Sequence, residues 1–262
     1  MSAPLLFDSL SHPTLTGDWF GRGVDATVGT LVGDLAAAGF GRACAVGMAG
    51  HEAYDHQAFA VLCRPYEQLV PIAGVVPRTG AAMDEDLDAV VELGFAGIKI
   101  HPRLSRCGYG SPEMAETLRG AWRRNLPVFL CTYGHTPIEH YPDRDPLYDL
   151  VSVLKQVPGV RLVLLHGGAV DLMRWMAFCR HNETMLLDLS FTIMRYAGSS
   201  IDLDIGWLFD GFNRRTCIGT DHPVWSHADL RDRFDRLSTG KDPDAVSRIG
   251  GVNLARFLEL EV

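Results

Sequence analysis

The chain has no basic run, and its 24 lysines and arginines are outnumbered by 32 aspartates and glutamates, for a net charge of −8. That balance argues against nucleic acid or an anionic membrane surface as a partner. No apolar stretch is long enough to cross a bilayer. The first residues, Met1-Ser2-Ala3-Pro4, lack a positive region followed by an apolar one, so no signal peptide is expected. The six cysteines (44, 63, 107, 131, 179 and 217) form no CxxC pair. They read as reduced, mostly core-filling thiols, which places the chain in the cytoplasm. There is no GxGxxG and no Walker pattern, so Gly167-Gly168 has little weight as an anion cradle. No linker or shift in composition marks a second domain, and residues 1–262 are read as one.

What is present is a core and a rhythm. Hydrophobic residues make up 47% and charged residues 21%, as in a soluble globular protein. Apolar runs predict eight strands: Leu5–Asp8, Arg42–Met48, Leu69–Val76, Phe95–His101, Leu126–Tyr133, Arg161–His166, Met185–Phe191 and Thr216–Thr220. Helical patterns fall between them, at Val24–Ala38, His51–Tyr66, Asp84–Leu93, Pro112–Arg124, Pro146–Val157 and Asp171–Arg180. Asp202–Phe212 precedes the last strand, and Ala228–Leu237 and Ala245–Leu258 close the chain. Continuous apolar runs such as Leu162-Val163-Leu164-Leu165 fit strands buried on both faces. Strict β-then-α alternation implies parallel strands, and eight repeats favour a closed (β/α)₈ TIM barrel. An open doubly wound sheet is the alternative that one misassigned strand would restore.

In such a barrel, chemistry gathers at the C-terminal ends of the strands. The polar residues there are Asp8 and His12, Lys99 and His101, Cys131, Tyr133 and His135, His166, Asp188 and Ser190, and Asp221 with His222. Five of the ten histidines lie at or just beyond these ends. Singly, each residue has an ordinary structural reading. His166 is a core histidine on a carbonyl, His101 a loop residue, and Cys131 core packing. Lys99 snorkels or pairs with an acid, and Asp8 holds the first loop. The convergence of these residues is the functional signal. Cys217-Ile218-Gly219-Thr220-Asp221-His222-Pro223 stands out within it: a buried strand ends in a carboxylate, which is costly without a partner. His101, Arg103, Tyr133, His135 and His222 are the candidates for substrate contact. Trp19, Phe20, Tyr109, Tyr133, Tyr141 and Trp225 are loop aromatics suited to lining a pocket for a flat or sugar-like molecule.

The motifs Leu6-Phe7-Asp8-Ser9, Gly97-Ile98-Lys99-Ile100-His101-Pro102, Leu164-Leu165-His166-Gly167-Gly168 and Gly219-Thr220-Asp221-His222-Pro223 resemble the amidohydrolase superfamily. The likeness is greatest to its amidohydrolase-related (amidohydrolase 2) branch. The closing Gly250-Gly251-Val252-Asn253-Leu254-Ala255-Arg256 resembles the last helix of that branch. The resemblance implies a metal-dependent hydrolase or non-oxidative decarboxylase of small carboxylated molecules, or one of the family's metal-free lactonases. It implies ligands from a His-x-His on strand one, a His on strands five and six, and an Asp on strand eight. Here those positions read Leu10 and His12, Cys131, His166 and Asp221. The implied metal set is therefore His12, Cys131, His166 and Asp221, with zinc as the cation because a thiolate binds it well.

Two chemical schemes follow from the resemblance. With zinc, the metal lowers the pKa of a bound water to about 7, and the hydroxide attacks a carbonyl. Lys99, Arg103 or Arg106 would hold a substrate carboxylate in that scheme. Without zinc, Asp221 activates water directly while His12 or His166 orients or polarises the substrate. Both give a hydrolase of a small carboxylated or sugar-like lactone, ester or amide, with Asp221, His166 and Lys99 as catalytic residues. The alternatives are a catalytically degenerate binding protein and a metal-dependent decarboxylase. The partner expected is a small-molecule substrate, with self-association into a homo-oligomer as a further possibility.

Overall fold

The structure is a computed structural model that describes residues 6–50, 54–137 and 144–261. Met1 to Leu5, His51 and Tyr141, named above, lie outside the described residues. Eight strands run in chain order around one sheet, each parallel to the next: β1 (Leu6–Ser11), β2 (Phe40–Val46), β3 (Leu69–Val75), β4 (Ile98–Ile100), β5 (Val128–Cys131), β6 (Leu162–Leu165), β7 (Met185–Asp188) and β8 (Thr216–Cys217). The sheet closes through Ser9 N donating to Ile218 O at 3.0 Å, His12 N to His222 O at 2.8 Å, and Asp221 N to Leu10 O at 2.9 Å. The expected TIM barrel is the observed fold.

The connecting helices form the outer layer. They are α1 (Val28–Ala37), α2 (His56–Cys63), α3 (Ala81–Glu92), a short α4 (Pro102–Ser105), α5 (Pro112–Arg123), α6 (Pro146–Leu154), α7 (Leu172–Arg180), a short α8 (Thr192–Arg195), α9 (Ser200–Gly211), α10 (His227–Ser238), α11 (Pro243–Ser247) and α12 (Asn253–Phe257). Their starts are chemically marked. Thr27, Asp55, Ser111, Asp145 and Ser226 each accept from a backbone N–H of the first turn, and Pro112 and Pro146 sit where no donor is needed. α1 begins later than its apolar pattern predicts. Thr27 caps it, and Val24 and Ala26 are used in an extended contact with Trp19 and Gly17.

Two apolar cores result. Leu31, Leu35, Leu87, Leu118, Leu150 and Phe209 fill the layer between helices and barrel. Phe7, Leu10, Val46, Ile72, Phe129, Leu165 and Cys217 fill the barrel interior. Leu254, Ala255 and Leu258 join the interior core, and Asn253 Nδ2 donates to Thr216 O at 2.8 Å, at the start of β8. α12 therefore plugs the N-terminal end and leaves the C-terminal ends as the mouth. All six cysteines are free and buried, as expected.

β8 is shorter than its apolar run. Its ladder ends at Cys217, and Ile218 to Asp221 instead follow β1. Gly219 is required there by contact: a Cβ would meet Ser9 Oγ at 2.3 Å and Asp8 Oδ1 at 3.0 Å. Thr220 turns its N–H and hydroxyl to the Asp8 carboxylate, at 2.9 and 2.6 Å.

Candidate active site

At the mouth, β1, β4, β5, β6 and the turn after β8 bring His12, Lys99, Cys131, His166 and Asp221 together. Lys99 is 3% exposed and His12 1%. His12 Nδ1 lies 2.8 Å from Val46 O, which places the ring proton on Nδ1 and leaves a lone pair at Nε2. Lys99 Nζ donates to that Nε2 at 3.0 Å. Asp221 Oδ1 stands 3.4 Å from the same nitrogen. In this tautomer His12 does not donate to Asp221, and the carboxylate keeps its lone pairs for another proton. The face of His12 is covered by Trp19, with centroids 5.4 Å apart and planes at 19°.

Burial opposes ionisation of Asp221, but the charges of His166 and Lys99 hold it well below the ordinary carboxylate range. Burial lowers the pKa of His12, and Lys99 adds to that, so the ring is neutral. Burial lowers Lys99 also, with Cys131, Asp221 and Asp188 pulling the other way. Burial raises the Cys131 thiol, but His101 and His166 on either side reverse this and favour the thiolate. Burial would lower His166, yet the charge and hydrogen bond of Cys131 push it up to about 9. The mouth thus holds a carboxylate, a thiolate–imidazolium pair and a buried ammonium.

Two residues of this set occupy left-handed backbone, His166 at φ 66° and Asp221 at φ 59°. Such conformations in non-glycine residues persist only where the surroundings enforce them. For His166 the enforcement is Asp188. Its carboxylate is fully buried and accepts from the N–H of His166 at 3.2 Å, the N–H of Ser190 at 3.0 Å, and the hydroxyls of Ser9 and Ser190. His166 Nδ1 in turn faces Ser190 O at 3.1 Å. For Asp221 the enforcement is Asp8, which accepts from Leu10 N, Ser11 Oγ, Thr220 and His227 Nε2, the last at 2.8 Å. Asp8 and Asp188 are positioning groups. His227 and Phe191 were not anticipated: His227 sits on a helix with no strand-end signal, and the ring of Phe191 lies 5.9 Å from His166 at the left-handed turn after β7.

The candidates for substrate contact divide. His101 caps α4, accepting from Leu104 N at 3.4 Å, and flanks Cys131. The Arg103 guanidinium lies over the Tyr133 ring at 4.8 Å. Tyr133 also meets Phe191 edge-on at 5.6 Å. His135 packs against Tyr133 and lines a lateral groove with Thr132, Asp145, Arg174 and Trp175. His222 is 3% exposed, and its ring lies against His227, with centroids 5.4 Å apart, rather than in the Lys99–His12–Asp221 contact. Burial and the neighbouring His227 lower it to about 4.

The mouth does not fit the expected zinc set. Among the described residues, His12, Cys131, His166 and Asp221 do not supply three ligand atoms within 4.8 Å of one another. Leu10, at the position of the missing ligand, is fully buried in the barrel interior. The Nε2 that His12 would offer a metal is taken by Lys99. A buried ammonium stands where the resemblance implied a metal cation.

No curated protein sequence matches the chain. Among solved structures, an uncharacterised TIM-barrel protein from Bordetella bronchiseptica superposes with a TM-score of 0.78 at 16% identity, covering 97% of this chain and 98% of that one. A protein described as a probable 2-pyrone-4,6-dicarboxylic acid hydrolase from Acinetobacter baumannii, with citric acid bound, gives 0.69 at 17% identity over 97% and 99%. A 5-carboxyvanillate decarboxylase from Novosphingobium aromaticivorans, with manganese bound, gives 0.71 at 12% identity over 98% and 97%. These likenesses carry the fold. The sequence profile described as amidohydrolase matches residues 17–260, and the chain belongs to the amidohydrolase family.

Proposed function

We propose that the protein hydrolyses a small carboxylated lactone or ester at the barrel mouth, with Asp221 as general base. The observation that carries this reading is the geometry at His12: Lys99 at 3.0 Å and Asp221 at 3.4 Å from one Nε2. Asp221 takes a proton from water, and the oxygen of that water adds to the substrate carbonyl. The developing oxyanion faces the Lys99 ammonium and the His166 imidazolium, which are fixed in place before reaction. Collapse breaks the C–O bond, and the departing alkoxide receives a proton from His166 or from protonated Asp221.

A strongly acidic Asp221 is a weak base on its own. The cations that depress it are those that an anionic substrate would meet. A substrate carboxylate bound nearby offsets part of this positive field and raises the basicity of Asp221, while Lys99 and His166 stay directed at the reacting carbonyl. The reading therefore selects anionic substrates over neutral ones. Tyr133, Phe191 and Trp19 supply flat walls for a planar ring.

The likeness to a protein described as a pyrone dicarboxylic acid hydrolase supports the reaction class, and the decarboxylase likeness keeps a second outcome in view. A panel of small mono- and dicarboxylated lactones and esters tests it, using the wild type and Asp221→Asn. Asparagine tolerates the left-handed backbone at position 221, so this variant tests charge rather than folding. Turnover of a carboxylated lactone that falls by about 10²-fold or more in Asp221→Asn is expected. Turnover unchanged in that variant removes Asp221 as the base. Release of carbon dioxide from an aromatic acid, with no hydrolysis of any panel member, replaces hydrolysis with decarboxylation.

A further inference from the structure

A second cluster lies behind the mouth, between barrel and helices. Asp34 on α1, His222 after β8 and His227 at the start of α10 each offer one ligand atom, and these atoms lie within 4.8 Å of one another. His227 is fully buried and His222 is 3% exposed. Two of their nitrogens, His222 Nε2 and His227 Nδ1, are buried with no hydrogen-bond partner among the described residues. Buried polar atoms are normally paired, so two orphans in adjacent rings call for an explanation.

Asp8 sharpens the point. Its Oδ2 lies 2.8 Å from His227 Nε2. A carboxylate there holds the ring proton on Nε2 and leaves Nδ1 with an exposed lone pair. This is the carboxylate–histidine arrangement that orients a metal-binding imidazole. We propose that Asp34, His222 and His227 form a site for a divalent cation of the zinc class, distinct from the mouth. Two imidazole nitrogens and one carboxylate oxygen suit zinc, with water as a fourth ligand. Ligands about 2.1 Å from one ion lie at most about 4.2 Å apart, so atoms within 4.8 Å of one another need close by no more than about 0.6 Å on binding. The cation ties α1, the turn after β8 and α10 together, next to the Asp8 hub that sets the Asp221 backbone. The inference is independent of the proposed hydrolysis.

The test uses the full chain, purified without a histidine tag, stripped with chelator and titrated with Zn²⁺ alone. Binding is read by competition with a chromophoric chelator and by thermal melting. The wild type is expected to bind zinc with micromolar or tighter affinity and to melt higher with zinc present, because the ion binds the folded state. Asp34→Ala changes a half-buried helix position. It is expected to weaken this binding by about tenfold or more, and His222→Ala to abolish it. Melting of both stripped variants checks their folding. Cys131→Ala is expected to leave binding unchanged, and Co²⁺ in place of zinc to show no thiolate charge-transfer band. No zinc bound by the wild type at 100-fold excess over protein overturns the site. So does binding that survives Asp34→Ala and His222→Ala, or that is lost with Cys131→Ala.

Discussion

Lys99 Nζ and Asp221 Oδ1 approach the same atom, His12 Nε2, from 3.0 and 3.4 Å. The imidazole separates an amine from a carboxylate that would otherwise form a direct ion pair. Both groups are buried, and a direct pair would spend their charge on each other. With His12 between them, each stays available to a third molecule.

Lys99→Met keeps the length of the stem and removes the ammonium. Turnover of a carboxylated lactone is expected to fall by about 10² to 10³-fold, the loss typical of one fixed oxyanion donor. Burial is the larger cause of the lowered His12 pKa, and Lys99 the second, so the ring's pKa should rise but stay below its ordinary value. An NMR titration of the His12 ring reads this directly. Lys99→Arg should not restore the rate, because a planar guanidinium cannot place a point charge on Nε2 in a site built for an amine. A rate unchanged in Lys99→Met removes the ammonium from the mechanism.

His166 predicts the alkaline limb. Its folded pKa, about 9, lies above the ordinary 6.5. The protonated form is therefore favoured by the native state. Its contribution to stability is complete below about 6.5 and is lost as pH rises through about 9. Activity that needs the imidazolium should fall over the same window. The groups facing it are Cys131 from β5, Lys99 from β4, Asp188 from β7 and Asp221 beyond β8. After burial, which lowers the pKa, Cys131 is the largest of these influences. Cys131→Ala should move the alkaline limb to lower pH, by one unit or more, and Asp221→Asn should move it less. A limb at the same pH in Cys131→Ala would mean that the thiolate does not set it.

Asp221 makes the opposite prediction in acid. Its folded pKa is depressed below 3.8 by the charges of His166 and Lys99, against burial. The ionised form stabilises the native state at and above neutral pH, and that contribution is lost as pH falls below about 4. Asp221→Asn removes the linkage. Urea midpoints compared at pH 7 and at about pH 2.5, inside that window, should therefore show wild type losing more stability than the variant on acidification. Equal losses would place the acid-sensitive charge elsewhere.

Much of this was legible in the sequence, for a physical reason. Strands buried on both faces must be apolar throughout, so runs such as Leu162 to Leu165 announce themselves, and glycines and prolines mark their ends. The same rule marked Asp221, His166 and Lys99, as polar groups where an apolar run stops. What escaped was whatever depends on side-chain contact across the barrel. Leu10 and Cys131 showed that the ligand set was altered, but not that Lys99 would stand against His12. Asp188, alternating with leucines, gave no facing, although its carboxylate turns out to organise β6, β7 and β1. His227 lies on a polar helix, where nothing in the local pattern separates a buried histidine from an exposed one.

Asp8 supplies the sharpest test of how the site is held. Its two oxygens receive donors from Leu10 N, Ser11 Oγ, Thr220 N, Thr220 Oγ1 and His227 Nε2, all in a fully buried environment. Burial disfavours its charge, yet His227 and the hydroxyls bring its pKa below the ordinary value, so the carboxylate is ionised. Removing one member of a buried charged network leaves the others unpaired and typically costs about 3–5 kcal/mol. Asp8→Ala strands every donor and should lose stability on that scale in urea unfolding. Asp8→Asn keeps one acceptor oxygen but sets an amide N–H against donors, and it should lose somewhat less. The decisive measurement is at Asp221. Its N–H bonds Leu10 O, and Thr220 beside it bonds Asp8 through both its N–H and its hydroxyl, with Leu10 O and His222 N as its other partners. A folded Asp8→Asn protein should therefore lose kcat more than it raises KM, because the base is misplaced while the carboxylate-binding cations remain. A variant that loses stability but keeps kcat would show that Asp8 holds the fold without positioning Asp221.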